Sequence, residues 1–483
     1  MNAFDYFFEK TMALEKPFLA GKEEISFNQL YRSSQSMATW LTQEVGQDKH
    51  IILMSVNNIF FLTSYLAIIK SGNICIPLDP SIEKENFLYI KELTDPSLIF
   101  LTKDIERRLG LPSDKYIFPD ILSDPLPEGK NLVQNNFDRE RCAEIIFTSG
   151  STGKPKGVMI SHKNLIANTE SIISYLKLTS DDRMLVVLPF YYCYGLSLLH
   201  THLRAGGSIA FNNSFIFLGG VIRDLRDLKC TGFAGVPSHY QILLRKSDSF
   251  RKSVFPDLKY VTQAGGKLAP IFIDEFRESF PDVKFIVMYG QTEATARLSY
   301  LPPELYEMKK GSMGKGIPDV ELKVVDETGK SITPGETGEV IARGDNIMSG
   351  YFADIEGTNH ALKNGWLYTG DLGTVDEDGY IYLTARKKEI IKVRGKRIIP
   401  KEIEAVILEI PEVIDCSIEG IEDEIEGEML KATVVIRKDA KERITRDSIR
   451  KHCSKHLVQY KIPQAYEIQE ELTISPTGKK IKK

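Results

Sequence analysis

The residues best equipped for chemistry form the run Thr148-Ser149-Gly150-Ser151-Thr152-Gly153-Lys154-Pro155-Lys156-Gly157, directly after the apolar Ile145-Ile146-Phe147. Glycines let a backbone turn its N–H groups toward an anion, hydroxyls add donors and lysines add charge, a combination suited to a polyphosphate. A flexible Ser/Gly linker shares much of this composition. Density favours phosphate: three glycines, four hydroxyls and two lysines fall within ten residues, attached to a buried strand. Lys154 precedes Pro155 rather than Ser or Thr, so the run is not a Walker A loop.

A second run, Tyr289-Gly290-Gln291-Thr292-Glu293, follows the apolar stretch Lys284–Met288. The end of such a strand is where an open α/β sheet places its ligand crevice. The Tyr289 ring can stack on a purine, Thr292 offers a hydroxyl to phosphate, and Glu293 is a hard oxygen ligand for magnesium. Alone, Glu293 would read as a solvated helix acid; its place in the run reverses that. Gly265-Gly266 allows close backbone approach, although by itself it marks only a turn. Asp371, in Tyr368-Thr369-Gly370-Asp371, can accept from two ribose hydroxyls, whereas an isolated Thr-Gly-Asp is usually a β-turn. The aromatic run Pro189–Leu196 holds Tyr191, Tyr192, Cys193 and Gly195 and reads as core or as the wall of an apolar or aryl pocket.

Five motifs in order carry a resemblance: the Thr148–Val158 loop, the Tyr289–Glu293 run, Tyr368–Asp371, Arg386-Lys387-Lys388 leading to Gly395-Lys396-Arg397-Ile398, and Pro476-Thr477-Gly478-Lys479. Together they resemble the adenylate-forming (AMP-binding) superfamily of acyl-CoA synthetases, peptide-synthetase adenylation domains and luciferases, most closely the acyl-CoA synthetases. The resemblance implies a two-step ligase that uses ATP, Mg2+ and coenzyme A, with carrier-protein pantetheine or an amine as the alternative acceptor. It assigns Ser149, Gly150, Ser151, Thr152, Gly153, Lys154 and Lys156 to the ATP phosphates and Thr148 with Glu293 to catalysis and the metal. Gly265 and Gly266 go beside adenine; Tyr289, Gly290, Gln291, Thr292, Asp371 and Arg386 complete the nucleotide site. Lys479 becomes the ammonium that brings the carboxylate and the α-phosphate together, rather than Lys480, Lys482 or Lys483. Lys388 is the interdomain hinge and Gly395 lines the thiol channel, with the basic stretch Lys387–Lys401 available to coenzyme A phosphates.

The Pro189–Leu196 segment takes the place of the family's acyl-pocket motif, with Tyr192 where many acyl- and aryl-CoA ligases have histidine. Amino-acid-activating members place an aspartate at about Cys193. No carboxylate lies between Pro189 and Arg204 here, and burying an unpaired ammonium is costly. The small-molecule substrate is therefore expected to be a fatty or aryl carboxylic acid without an α-amino group. An acyl carrier protein is the partner that the alternative acceptor would require.

Elements must hold these groups in place. From residue 51 short apolar runs alternate with helical stretches: Ile51–Val56, a helix to Lys70, Ile74–Pro77, helix Glu83–Leu93 and Leu98–Leu101. A Pro/Asp-rich surface loop is expected over Leu111–Gly129, after which the alternation resumes to Met288. This predicts an α/β fold with two sheet layers covered by helices. Beyond Gly311 short β-like pieces separated by Gly and Pro turns predict a small β-rich subdomain. The division expected is a large adenylation domain, residues 1–387, followed by a small mobile α+β domain, residues 388–483, that carries the catalytic lysine.

Composition sets the outer bounds. The chain has 483 residues, 42% hydrophobic, with 62 Lys+Arg against 66 Asp+Glu and a formal net charge of −4. Such a balance predicts a packed core, provides no polybasic field for nucleic acid, and fits a cytoplasmic protein. The six cysteines are scattered without CxxC or zinc-like spacing. The N-terminus lacks the basic and apolar pattern of a leader. Asn57 and Asn58 divide the one apolar stretch, Ile51–Ile69, that approaches the length of a membrane span.

Overall fold

A computed structural model describes residues 1–111, 115–129, 137–148, 154–393, 395–423 and 427–471. Two large sheets carry the body. One runs in the order Lys315–Gly316, Ser299–Leu301, Lys284–Tyr289, Tyr260–Gln263, Gly232–Gly235, Arg183–Val186, Ser208–Phe211, Pro17–Ala20 and Ile25–Ser26. Its six central strands, from Lys284–Tyr289 to Pro17–Ala20, are parallel, and antiparallel strands close both edges. The other runs Gly350–Tyr351, Lys156–Ser161, Cys142–Thr148, Ile74–Pro77, His50–Met54, Leu98–Leu101 and Tyr116–Ile117. The expected pair of sheet layers is present.

The intervening helices start where the sequence supplies caps. The Ser26 hydroxyl accepts from Gln29 N to begin Phe27–Val45, and the Ser161 hydroxyl accepts from Asn164 N to begin His162–Leu176. Helix Ile59–Lys70 is apolar on every side and accordingly buried along nearly its whole length. The two amides before it are satisfied within the protein. Asn57 donates to Leu188 O and accepts from Phe190 N, both at 2.9 Å, while Asn58 caps the helix. Among the described residues no helix is long and apolar enough to cross a membrane.

Local expectations need three adjustments. The strand after residue 50 stops at Met54 rather than Val56, because Asn57 turns the chain to reach Leu188. Within the Leu111–Gly129 loop, Tyr116–Ile117 adds an edge strand to Leu98–Leu101 and a 3-10 turn follows over Pro119–Ser123. The β-rich part contains one short helix, Ile355–Ala361, begun by the Asp354 side chain. That part is a five-stranded sheet in which Trp366–Val375 is flanked by Gly338–Arg343, Leu362–Lys363 and Ile381–Arg386, with Glu321–Val325 at the edge.

Toward the C-terminus a hairpin, Ile391–Val393 with Lys396–Ile398, precedes a three-stranded sheet of Val413–Asp423, Gly427–Ile436 and Ala465–Gln469. Helices Pro400–Leu408 and Arg446–His456 pack with it. Its contact with helix Pro237–Lys246 of the body is polar. Arg245 donates to Leu408 O at 2.8 Å, to Ile410 O at 3.0 Å and to Val413 O, and pairs with Glu275 at 2.6 Å; Gln241 donates to Asp415 at 3.1 Å.

Inside the body lies a polar cluster that neither sheet periodicity nor motif order announces. Glu144, 1% exposed, accepts from the Tyr65 hydroxyl at 2.7 Å, and the same hydroxyl is 2.8 Å from His200 Nε2. Phe7 stacks on the His200 ring at 4.6 Å. Burial pushes the Glu144 carboxyl up to about 7 and the His200 imidazole down to about 3.

Candidate active site

Thr148 ends a strand whose antiparallel partner begins at Lys156, so the two residues face each other across the mouth of the Ser/Thr/Gly run. The Thr148 hydroxyl donates to Lys156 O at 3.5 Å. Ser149, Gly150, Ser151, Thr152 and Gly153 lie outside the described residues. Lys154 is exposed, its ammonium 5.2 Å from the centre of the Tyr89 ring. Lys156 is engaged differently: it pairs with Asp354 at 2.7 Å and sits 5.1 Å over the Tyr351 ring. That hydrogen bond holds the Asp354 carboxyl below its usual range.

Tyr351 links this edge to the second run. Its hydroxyl donates to Glu293 Oε1 at 2.8 Å, and Met348 N donates to the Glu293 carbonyl at 2.9 Å. Burial and the Glu293 charge both push the Tyr351 phenol up. Glu293 is half-buried on the short 3-10 turn Thr292–Ala294. Gly290 precedes that turn because the chain crosses itself there; a Cβ at Gly290 would stand 2.0 Å from Ala296 O. Gln291 is half-buried, and the buried Thr292 hydroxyl is 3.5 Å from Cys193 Sγ. Thr295, at φ +63°, holds a conformation that β-branched residues avoid, and its hydroxyl donates to Asn346 O at 2.7 Å. Thr148, Lys156, Tyr351 and Glu293 thus form one connected edge.

The third cluster lies at Tyr289. Its hydroxyl donates to Asp371 Oδ2 at 2.6 Å, while Arg386 Nε donates to Asp371 Oδ1 at 2.8 Å. Asp371 is 4% exposed, and Arg386 faces it because strands Trp366–Val375 and Ile381–Arg386 pair in that register. Burial and the Asp371 charge raise the Tyr289 phenol. The tyrosine expected beside a purine is therefore anchored through its hydroxyl to the acid expected at the ribose.

Gly265 and Gly266 border the aromatic run. Gly265 has φ +81°, and a Cβ on it would meet Tyr192 OH at 2.9 Å and Val236 Cγ1 at 3.0 Å. Tyr192 caps helix Cys193–Ala205, Cys193 is buried, and Gly195 must lack a side chain because its Cβ would stand 2.2 Å from Pro189 O. Burial and the neighbouring Asp79 raise the Tyr191 phenol. Lys388 is exposed on the turn Lys387–Glu389, and Gly395, at φ +75°, is exposed in the hairpin. Lys479 lies outside the described residues. Sequence reasoning passed over Tyr351, Asp354, Tyr194 and Arg297; the signal for Arg297 is one charge in the small and apolar stretch Ala294-Thr295-Ala296-Arg297-Leu298.

A family model described as "AMP-binding enzyme" matches residues 8–352, and one described as "AMP-binding enzyme C-terminal domain" matches residues 402–479. An oxalate–CoA ligase of Arabidopsis thaliana is 28% identical, covering 95% of this chain and 93% of its own length. A probable CoA ligase, CCL9, of Humulus lupulus is 30% identical, covering 91% and 86%. The crystal structure of ATP-bound MatB from Rhodopseudomonas palustris superposes with a TM-score of 0.88 at 26% identity, covering 99% of this chain and 97% of that one.

Proposed function

The chain belongs to the AMP-binding enzyme family, and from that premise we propose how its strand-end clusters divide the work. It is an AMP-forming acid–CoA ligase acting on a fatty or aryl carboxylic acid. A carboxylate oxygen bonds to the α-phosphorus of ATP as the bond to pyrophosphate breaks. The coenzyme A thiolate then bonds to the acyl carbon as AMP leaves.

One observation carries the assignment of parts: Asp371, buried and fixed by Tyr289 and Arg386, stands at the same strand end that leads into Thr292 and Glu293. A carboxylate oxygen has two lone pairs. Asp371 can therefore keep both donors and still accept from ribose hydroxyls. Thr148 and residues 149–154 would hold the β- and γ-phosphates, with Lys156 kept in line by Asp354. Gly265 and Gly266 would flank the adenine, and the Tyr191–Gly195 segment the acid.

For magnesium the donor set fits. Tyr351 occupies one Glu293 oxygen and leaves the other without a partner among the described residues, and Thr148 adds a hydroxyl, both hard ligands. When bound, the ion would neutralise phosphate charge. Lys479 is assigned to the attacking side of the first step. In the second step residues 388–483 would turn about Lys388, withdraw Lys479 and bring Gly395 to the thiol path. The six scattered cysteines keep the cytoplasm as the proposed setting.

Acid-dependent ATP–pyrophosphate exchange over fatty, aryl and amino acids tests this reading. Fatty or aryl acids should drive exchange and amino acids should not; exchange with amino acids alone would sink it. Free coenzyme A offered beside a holo carrier protein then decides the acceptor, with thioester expected on coenzyme A.

A further inference from the structure

Two histidines and a glutamate meet where two helices of the C-terminal region end, and the ligase reading uses none of them. His452 and His456 stand four residues apart on helix Arg446–His456, so their side chains leave one face a single turn apart. Their ring centres are 4.8 Å apart. Glu409 is the C-cap of helix Pro400–Leu408, and its Oε2 lies 3.7 Å from His452 Nε2. One ligand atom from each of the three residues falls within 4.8 Å of the other two. Tetrahedral zinc holds nitrogen and oxygen donors at about 2.0–2.2 Å, which sets those donors roughly 3.5 Å from one another. Small side-chain rotations close the difference, and Glu409 and His456 are exposed, so the rotations cost little.

The chemistry of the donors favours an ion as well. His452 Nε2 donates to Val406 O at 2.9 Å, but that carbonyl also accepts from Glu409 N at 3.2 Å. The imidazole can therefore move its proton to Nδ1 and turn its Nε2 lone pair to a metal without stranding the carbonyl. The ring nitrogens of His456 make no hydrogen bond with another described residue. Both helices end here, and the negative partial charge of a helix C-terminus attracts a cation. Lys451 and Lys455, exposed on the same helix, oppose it as solvated charges that water and salt screen. Two imidazoles with one carboxylate suit a borderline ion such as Zn2+, whereas Mg2+ takes oxygen donors.

We propose that Glu409, His452 and His456 bind one zinc ion, with water completing its coordination, and that the ion ties the two helix ends together. The carbonyls on either side of Glu409, Leu408 O and Ile410 O, accept from Arg245 of the body. Zinc would thus stiffen the turn through which the C-terminal region meets the body. Its role is structural, and it is separate from the magnesium proposed at Glu293 and Thr148.

Calorimetric titration of chelator-treated, full-length protein with zinc chloride, in the absence of ATP, tests this. Wild type should bind an equivalent of zinc that His452→Gln and His456→Gln each weaken by about 100-fold or more, beyond the about 10- to 100-fold that losing an outer partner costs. Glu409→Gln should weaken it less, and Glu293→Gln should bind it as the wild type does. Zinc should also slow hydrogen exchange over residues 402–410 and 449–456 in the wild type and not in His456→Gln. Binding that is unchanged in the histidine variants overturns the proposal, and so does an equal loss in Glu293→Gln. Binding that needs the histidines yet leaves exchange unaltered overturns the structural role. If His452→Gln does not fold, the variants of the exposed His456 and Glu409 still decide. ATP–pyrophosphate exchange by His456→Gln should stay within a few-fold of wild type, so failure of the zinc site leaves the ligase reading standing.

Discussion

The strand ends of the body and the C-terminal hairpin bear motifs of one reaction yet are built on opposite principles. In the body, Asp371 is fixed from two sides, Glu293 is held through Tyr351, and Lys156 through Asp354. In the hairpin region Lys388 and Gly395 are exposed, and a Cβ on Gly395 would meet nothing within 4 Å. The difference teaches where preorganisation is needed. On the proposed division of labour a nucleotide is bound once and must find its partners in place, whereas a group serving two successive steps would have to leave after the first. The largest expected effect follows from that contrast. Lys479→Ala should lower adenylation about 10³-fold, as loss of a charge aimed at the developing bond does. Thioester formation from supplied acyl-adenylate should survive. Equal loss of both half-reactions would break the comparison.

The body's rigidity has an electrostatic signature as well. Glu144 titrates at about 7 in the folded protein because burial disfavours its charge. A carboxyl raised above its unfolded value contributes stability fully at pH below about 4.5 and loses it as pH rises through 7, on the order of 3 kcal/mol in all. The buried histidines His162, His200 and His239 act in the opposite sense. Pulled down to about 3, they contribute stability above about pH 6.5 that is lost as pH falls toward 3. Glu144→Gln keeps an acceptor for Tyr65 and removes only the first of these terms. The melting-temperature difference between the variant and the wild type should therefore grow in the variant's favour from pH 4.5 to 7 and then level off. A difference that is flat with pH would separate Glu144 from the acid–alkaline behaviour of the body.

A smaller effect probes the nucleotide cluster. Asp371→Ala leaves the buried Tyr289 hydroxyl and Arg386 without their shared acceptor and removes the proposed ribose partner. The KM for ATP in the exchange assay should rise about 10- to 100-fold. Asp371→Asn should show a milder rise. An unchanged KM would mean that the tied-down acid supports the strands and not the nucleotide.

How much of this was legible in the sequence varies with the range of the interactions. Alternating apolar runs marked the parallel strands from His50 to Tyr289 within a residue or two, except the two-residue edge strand Tyr116–Ile117, since that pattern is local and needs a longer run to show. The Thr148–Gly157 run stood out as the candidate phosphate loop through density alone. What stayed hidden depends on distant pairings: Pro17–Ala20 completes a sheet beside Ser208–Phe211, and Lys156 meets Asp354 across 198 residues. Arg297 could be seen as one charge in a small-residue stretch, but its burial against the Tyr194 ring is a property of the packed interior. Tyr192 was legible as a departure from the usual histidine, whereas its position over Gly265 was not.

The smallest effect concerns the seam between the two regions. Arg245 spends three donor contacts on the carbonyls of Leu408, Ile410 and Val413, where helix Pro400–Leu408 ends and the next strand begins. Leu408 O belongs to the last turn of that helix, while Ile410 O and Val413 O lie in the connection and the strand that follow, so the arginine caps the helix end and ties it to the strand from another part of the chain. Cutting the side chain at Cβ leaves Glu275 unpaired at the seam and frees the helix end, at a cost of about 1–3 kcal/mol to docking. The body's core is untouched by that change. Arg245→Ala should accordingly speed trypsin cleavage within Lys387–Lys401 several-fold, while the main melting transition moves by only a few degrees. If the main transition falls as steeply as docking does, the C-terminal region is part of the body's cooperative unit. The proposed contrast between a fixed body and a movable cap would then apply to side chains but not to whole elements.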